Sequence, residues 1–102
     1  MAEKENVIFP IEYAGFRVVD DDSFEIVKQN VERHSRKLSV KAKKINNIHL
    51  TLKKLHEREK GEIYDIHARL KDNGKIYVSH CSDRNLFAAV DKALQKLVNE
   101  MG

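Results

Sequence analysis

Hydrophobic and polar positions alternate along this chain with two different periods. Near the C-terminus, "LFAAVDKALQKL" (residues 86–97) sets Phe87, Val90, Leu94 and Leu97 at helical spacing, so that one face of a helix is apolar. Earlier, "DDDSFEIVKQNVERHSRKL" sets Phe24, Val27, Val31 and Leu38 on a similar stripe, with His34 or Ser35 filling the intervening turn. Asp20, Asp21, Asp22 and Ser23 stand at its start, where capping oxygens and negative charge suit a helix N-terminus. Its end is less marked. Ser39 and Val40 weaken the pattern, Ala42 and Ile45 keep its phase, and "INN" at 45–47 breaks it.

Elsewhere the period is two, as in a strand with one buried face. "NVIFPIEYAGF" alternates Ile11 and Tyr13 and closes on Gly15; Pro10 predicts an edge strand or a strand beginning just after it. "NIHLTLKKLH" alternates Ile48, Leu50 and Leu52 against His49, Thr51 and Lys53. "EIYDIHARLK" alternates Tyr64, Ile66, Ala68 and Leu70 against Asp65, His67, Arg69 and Lys71. The charged linker "EREKGE" between them carries Gly61, as a hairpin loop needs. "DNG" at 72–74 predicts a tight hairpin turn, since Asn-Gly accepts positive φ. The following strand, "KIYVSHCS", leaves its inward set open: Tyr77, Ser79 and Cys81, or Ile76, Val78 and His80. Asp83 or Asn85 then caps the closing helix. The order is β-α-β-β-β-α. One-sided alternation predicts an α+β fold, a four-stranded sheet with two helices packed on one face and water on the other.

At 102 residues the chain suits a single domain over 1–102, with residues 1–6 expected to be flexible. Hydrophobic residues make up 41% and charged residues 34%, enough apolar content to fold beneath a heavily charged surface. One cysteine, Cys81, excludes an internal disulfide. The longest apolar runs are a few residues, too short for a membrane span, and "MAEKENVIF" is too acidic for a signal peptide. The expectation is a cytoplasmic protein.

The net charge of +3 is mild but unevenly placed. Residues 1–32 hold three basic residues against eight acids, and residues 57–102 hold eight of each. Residues 33–56 hold Arg33, Arg36, Lys37, Lys41, Lys43, Lys44, Lys53 and Lys54 with no acid at all. Such a block favours a polyanionic partner. On a helix starting at Phe24, Arg33 lies about 180° from the apolar stripe, Lys37 about 220° and, if the helix persists, Lys44 about 200°. Arg36 and Lys43 flank them. A basic ridge opposite the core can meet phosphates, and Arg adds bidentate contacts. Lys92 and Lys96 extend the ridge if the two helices lie side by side. The structural alternative is that basic residues late in a helix complement its dipole and keep it soluble.

The βαβββα order and the final-helix residues together resemble the ribosome hibernation-promoting factor family, also described as ribosome-associated translation inhibitors or light-repressed and sigma-modulation proteins. The matching residues are Asn85 at the cap, then Phe87, Ala88, Ala89, Val90 and Asp91, with Lys96 and Leu97 further on. Ile11, Tyr13 and Gly15 match the family's first strand, and the resemblance covers residues 7–101. Two departures stand out. Phe16 follows Gly15 where the family favours a basic residue, with Arg17 one place later, and the chain ends on "NEMG" where the family's helix often runs into a basic tail. The carboxy-terminal dimerisation domain of the family's long-form members also has no counterpart in this sequence, so the likeness is to a short or divergent form. It implies a fold similar to the double-stranded-RNA-binding domain with an added strand. It also implies binding to the small ribosomal subunit and its rRNA, in the channel of mRNA and the tRNA anticodon ends, blocking translation by occupancy without chemistry. On that reading the RNA-binding residues are Arg33, Arg36, Lys37, Lys41, Lys43, Lys44, Lys92 and Lys96, and no cofactor, small-molecule substrate or membrane is involved. The oligomeric state is left open.

Other chemistries have weaker support. His49, His67 and His80 can share the open sheet face and a metal, but no two stand at His-x-x-x-His spacing, and solvated strand histidines are the preferred reading. Cys81 among small residues reads as core filling. No Gly-rich phosphate loop occurs. Tyr13, Phe16, Tyr64 and Tyr77 offer stacking surfaces for bases, although packing is the commoner use. The alternatives to a ribosome-bound inhibitor are a binder of another structured RNA and an interaction module with an acidic protein partner.

Overall fold

In a computed structural model, residues 9–59 and 61–101 are described; the segment 1–6 lies outside them. The elements follow in the expected order. They are β1 (Ile11–Ala14), a short 3-10 turn (Phe16–Val18), α1 (Asp21–Lys41), β2 (Ile45–Glu57), β3 (Gly61–Asp72), β4 (Lys75–Asp83) and α2 (Leu86–Met101). The sheet order is β1-β2-β3-β4. β1 runs parallel to β2, with Tyr13 opposite Leu50, and α1 is the crossover that a parallel pair requires. The two remaining pairs are antiparallel hairpins.

β1 begins directly after Pro10 and is an edge strand, so both readings of that proline hold together. The Pro10 carbonyl still accepts from Ile48 N–H at 3.0 Å, and only the donor that proline lacks is missing. Asp20 caps α1, its carboxylate accepting from Ser23 N–H at 3.0 Å. Both His34 and Ser35 are buried beside Val27, Val31 and Leu38. The Ser35 hydroxyl is satisfied by the Val31 carbonyl one turn back, at 2.7 Å.

The helix does not carry on through Ala42 to Ile45. It stops at Lys41, and Ile45 opens β2. The cause lies in the opposite hairpin. The Asp72 carboxylate accepts from Lys43 N–H at 3.1 Å and from Lys44 N–H at 2.7 Å. Those are the donors that a further helical turn would direct at Ser39 and Val40.

Ile48, Leu50 and Leu52 of β2 and Ile66, Ala68 and Leu70 of β3 face the helices. On β4 the inward set is Tyr77, Ser79 and Cys81, whereas Ile76 and Val78 are exposed. Ser79 faces inward without cost because its hydroxyl donates to the Ala93 carbonyl of α2 at 2.6 Å. On α2, Val90, Leu94 and Leu97 are fully buried as expected. Phe87 is only half-buried, and Leu86, Ala89, Ala93 and Val98 complete a face wider than the sequence stripe. Each large aliphatic side chain so buried contributes about 1.5–3 kcal/mol.

Gly15 ends β1 at φ 84. A Cβ there would lie 2.1 Å from the Leu52 carbonyl oxygen of β2, so no side chain fits. Phe16, standing where a basic residue was the family expectation, is buried at this corner, 5.5 Å centroid to centroid from Tyr13 and 5.4 Å from Phe24. Gly15→Ala should destabilise the protein by about 2 kcal/mol or more, from positive φ and the backbone clash together. Urea unfolding reads this directly, and an unchanged midpoint would show that the corner relaxes freely.

Candidate nucleic-acid interface

The basic residues of the central stretch divide between the outer face of α1 and the turn that follows it. Arg33, Arg36 and Lys37 are exposed on the side of α1 away from the sheet. Lys41 closes the helix, its Nζ 3.5 Å from the Val98 carbonyl of α2. Lys43 and Lys44 follow in the turn, backbone held by Asp72 and side chains exposed. From Arg33 to Lys41 the strip runs ~12 Å along the helix axis. Among the described residues, Arg36, Lys37, Lys41, Lys43 and Lys44 form no ion pair with a carboxylate. Arg33 has a distant one, 3.9 Å from Asp91 of α2.

The helix dipole does not account for the whole strip. Its effect is confined to the last turn, which covers Lys41, but Arg33 lies more than two turns upstream. Arg33, Lys37 and Lys41 also stand four residues apart in sequence, a like-charge spacing that costs a few tenths of a kcal/mol per pair. The spacing by itself gives folding no gain, and only Arg33, through Asp91, and Lys41, through the Val98 carbonyl and the helix end, make contacts that offset it.

The helices do lie side by side, yet Lys92 and Lys96 do not extend the strip. Asp91 points to α1, where it meets His34 and Arg33, and Lys92 is about 100° further round α2. It pairs with Asp83 at the end of β4, 2.8 Å away, while Lys96 donates to the His80 carbonyl at 2.8 Å. Both therefore belong to the β4 flank. Mutual interaction holds the Asp83 carboxyl below its usual range, chiefly through the Lys92 hydrogen bond, and raises Lys92. Asp83 and Asn85 both serve at the helix start: Asp83 accepts from Asn85 N–H at 2.8 Å, and Asn85 Oδ1 accepts from Ala88 N–H at 2.9 Å.

The aromatic residues are used for packing. Tyr13 meets Phe24 edge-on at 5.2 Å, and burial first, with the Glu32 charge second, pushes its phenol up to about 12. On the open sheet face His49 pairs with Glu12 at 3.0 Å, and its partner across the ladder on β3 is Arg69. His67 and His80 are directly opposite each other on β3 and β4, and both contact Asp65, which the sequence reading had not joined to them. The signal was available, because a two-residue turn at Asn73-Gly74 fixes which residues of the hairpin face each other. No described helix is long and apolar enough to cross a membrane.

No family profile matches the chain, and no curated protein matches it. Among solved structures the fold is similar to a ribosomal subunit interface protein from Coxiella burnetii. That match has 14% identity over 92% of this chain and 93% of the other, with a TM-score of 0.62. It is similar also to the N-terminal domain of Protein Y from Thermus thermophilus, at 15% identity over 94% of each chain and a TM-score of 0.56. The fold that the family resemblance implied is the fold this chain adopts.

His34 joins this surface to the core. Its Nε2 lies 3.3 Å from Asp91 Oδ1, while Nδ1 is buried without a partner. Burial lowers its pKa; Asp91 opposes the shift by charge and hydrogen bond, and Lys37 and Arg33 reinforce it. The folded state thus holds a neutral imidazole that the unfolded chain protonates below about pH 6.5. His34 therefore contributes stability above that pH that is lost as pH falls through the folded pKa. Urea titrations of wild type and His34→Gln from pH 8 to pH 5 should show the wild type losing more stability on acidification. Parallel pH profiles would remove His34 from the account.

Proposed function

We propose that this protein is a ribosome-binding factor that occludes the small subunit, with α1 and the 41–44 turn lying on rRNA. The observation that carries the reading is the acid-free strip Arg33, Arg36, Lys37, Lys41, Lys43 and Lys44, which the fold leaves exposed and largely without ion-pair partners among the described residues. The fold adds support, because one protein sharing it is described as a ribosomal subunit interface protein. Structured RNA is met through shape and phosphate, which a rigid cationic helix face supplies without base-specific groups. The opposite end of α1 carries Asp20, Asp21, Asp22 and Glu25, so one orientation on a polyanion is favoured over its reverse. Occupancy of the channel for mRNA and the tRNA anticodon ends would block translation sterically, with no reaction step.

Purified protein should co-sediment with small subunits and whole ribosomes and slow a cell-free translation reaction. Arg36→Glu, Lys37→Glu and Lys43→Glu combined should weaken binding about 100-fold or more, at on the order of 1 kcal/mol per lost phosphate contact. An equal-charge control, Arg58→Glu, Arg69→Glu and Lys71→Glu on the hairpin and open sheet face, should retain binding. Equal losses in both variants would mean that only net charge matters. Normal binding by the first would move the RNA off α1. Binding that survives nuclease digestion would favour an acidic protein partner.

Affinity should also fall steeply with salt. Four or five engaged cations give a log–log slope of about −3 to −4.5, from counterions released by the phosphates. A nearly flat dependence, measured by fluorescence anisotropy on a helical rRNA fragment, would point to recognition by apolar contact.

A further inference from the structure

The hairpin β3–β4 holds a second cluster on the sheet face opposite the helices, independent of the ribosome reading. Asp65, His67 and His80 each offer one donor atom, and these atoms lie within 4.8 Å of one another. His67 Nε2 is 3.2 Å from Asp65 Oδ2, and His80 Nε2 contacts Asp65 Oδ1. The two imidazoles stack at 4.3 Å with 22° between their planes. From these donors we propose that Asp65, His67 and His80 form a binding site for a borderline divalent transition ion, zinc being the probe of choice, with a fourth position open to water.

Four features support the assignment. The donor set, two imidazoles and one carboxylate, is of the type that binds zinc with three protein ligands and an open position. Donors bound to one tetrahedral zinc at 2.0–2.1 Å stand roughly 3.3 Å apart, close to the present separation of His67 Nε2 and Asp65 Oδ2, so small side-chain rotations suffice. Asp65 is 8% exposed although it lies on the open face, and among the described residues no Lys or Arg nitrogen is within 4.0 Å of its carboxylate. Its other partner is Ser82, whose Oγ–H donates to Oδ1 at 2.6 Å, the kind of outer hydrogen bond that orients a metal ligand.

The scaffold is also rigid at this point. β3 is paired on both sides, His67 stands opposite His80 and Asp65 opposite Ser82. Directly opposed strand residues keep their Cβ atoms about 4.5–5.5 Å apart, so two imidazoles can converge without backbone movement. Both rings remain accessible, with side chains 55% and 53% exposed, leaving an entry path for the ion.

Calorimetric titration of the chelator-treated protein with zinc chloride should give one equivalent bound, with a Kd on the order of 10 μM or tighter. His67→Ala and His80→Ala should each weaken binding at least about tenfold, the loss that removal of even an outer partner brings. His49→Ala, on the same face but paired with Glu12, should bind zinc as wild type does. Histidine side-chain NMR of the wild type should show zinc shifting the His67 and His80 resonances before those of His49. Absence of saturable zinc binding, or binding that survives both alanine substitutions, would overturn the proposal.

Discussion

The Asp72 carboxylate and the Asn73-Gly74 turn beside it fix more of this molecule than their three residues suggest. Asn73 and Gly74 both take positive φ, 52° and 87°, the conformation that matches a two-residue hairpin to the right-handed twist of its strands. From the same place Asp72 receives the backbone N–H groups of Lys43 and Lys44. Asn73 N–H donates to the Lys44 carbonyl at 2.8 Å, and Gly74 N–H meets Asn46 Oδ1 at 3.3 Å. Asn46 is the extra residue where the β2–β3 register shifts, a bulge whose side chain bonds to the neighbouring turn. A single buried acid thereby ends α1, starts β2 and holds the two lysines that prolong the basic strip.

The same turn has a second consequence at a distance. Because it sets the β3–β4 register, it decides that His67 faces His80 and that Asp65 faces Ser82. A one-residue slip would bury the polar set and expose Ile66 and Ala68, so the core and the histidine pair are specified together. Within that register Asp65 stays charged. Burial raises its pKa, but hydrogen bonds from Ser82 and His80 and the charges of both imidazoles outweigh this and hold the carboxyl below its usual range.

How much of this was legible in the sequence depended on the range of the interaction involved. Period-two alternation at Ile48, Leu50 and Leu52 and at Ile66, Ala68 and Leu70 reads directly, because neighbours in sequence decide it. β4 did not. Its two faces, Tyr77-Ser79-Cys81 and Ile76-Val78-His80, are similarly polar, and the Ser79 hydrogen bond to Ala93 that makes the inward serine tolerable spans 14 residues. The end of α1 was hidden for the same reason, since Asp72 lies 28 and 29 residues from the donors it captures. Helical angles correctly put Arg33 and Lys37 opposite the core. They carried no information on which flank of α2 faces α1, and so Lys92 and Lys96 were joined to a strip from which the structure separates them.

Low identity to proteins of the same fold follows from the same physics. The core asks only for apolar residues of suitable size at alternating or helical positions, and many sequences meet that demand. Gly15 is different in kind, since any Cβ there meets the Leu52 backbone, and so is Asp72, whose acceptor oxygens have no apolar substitute. A phosphate-facing surface is tolerant in another way. On the proposed reading it needs cations within reach of the ligand rather than one residue at one place, so Phe16 can fill the core where a basic residue was expected while the exposed face of α1 carries charge of its own. Identity near 15% therefore leaves the fold intact, while the placement of charge upon it is decided residue by residue in this chain.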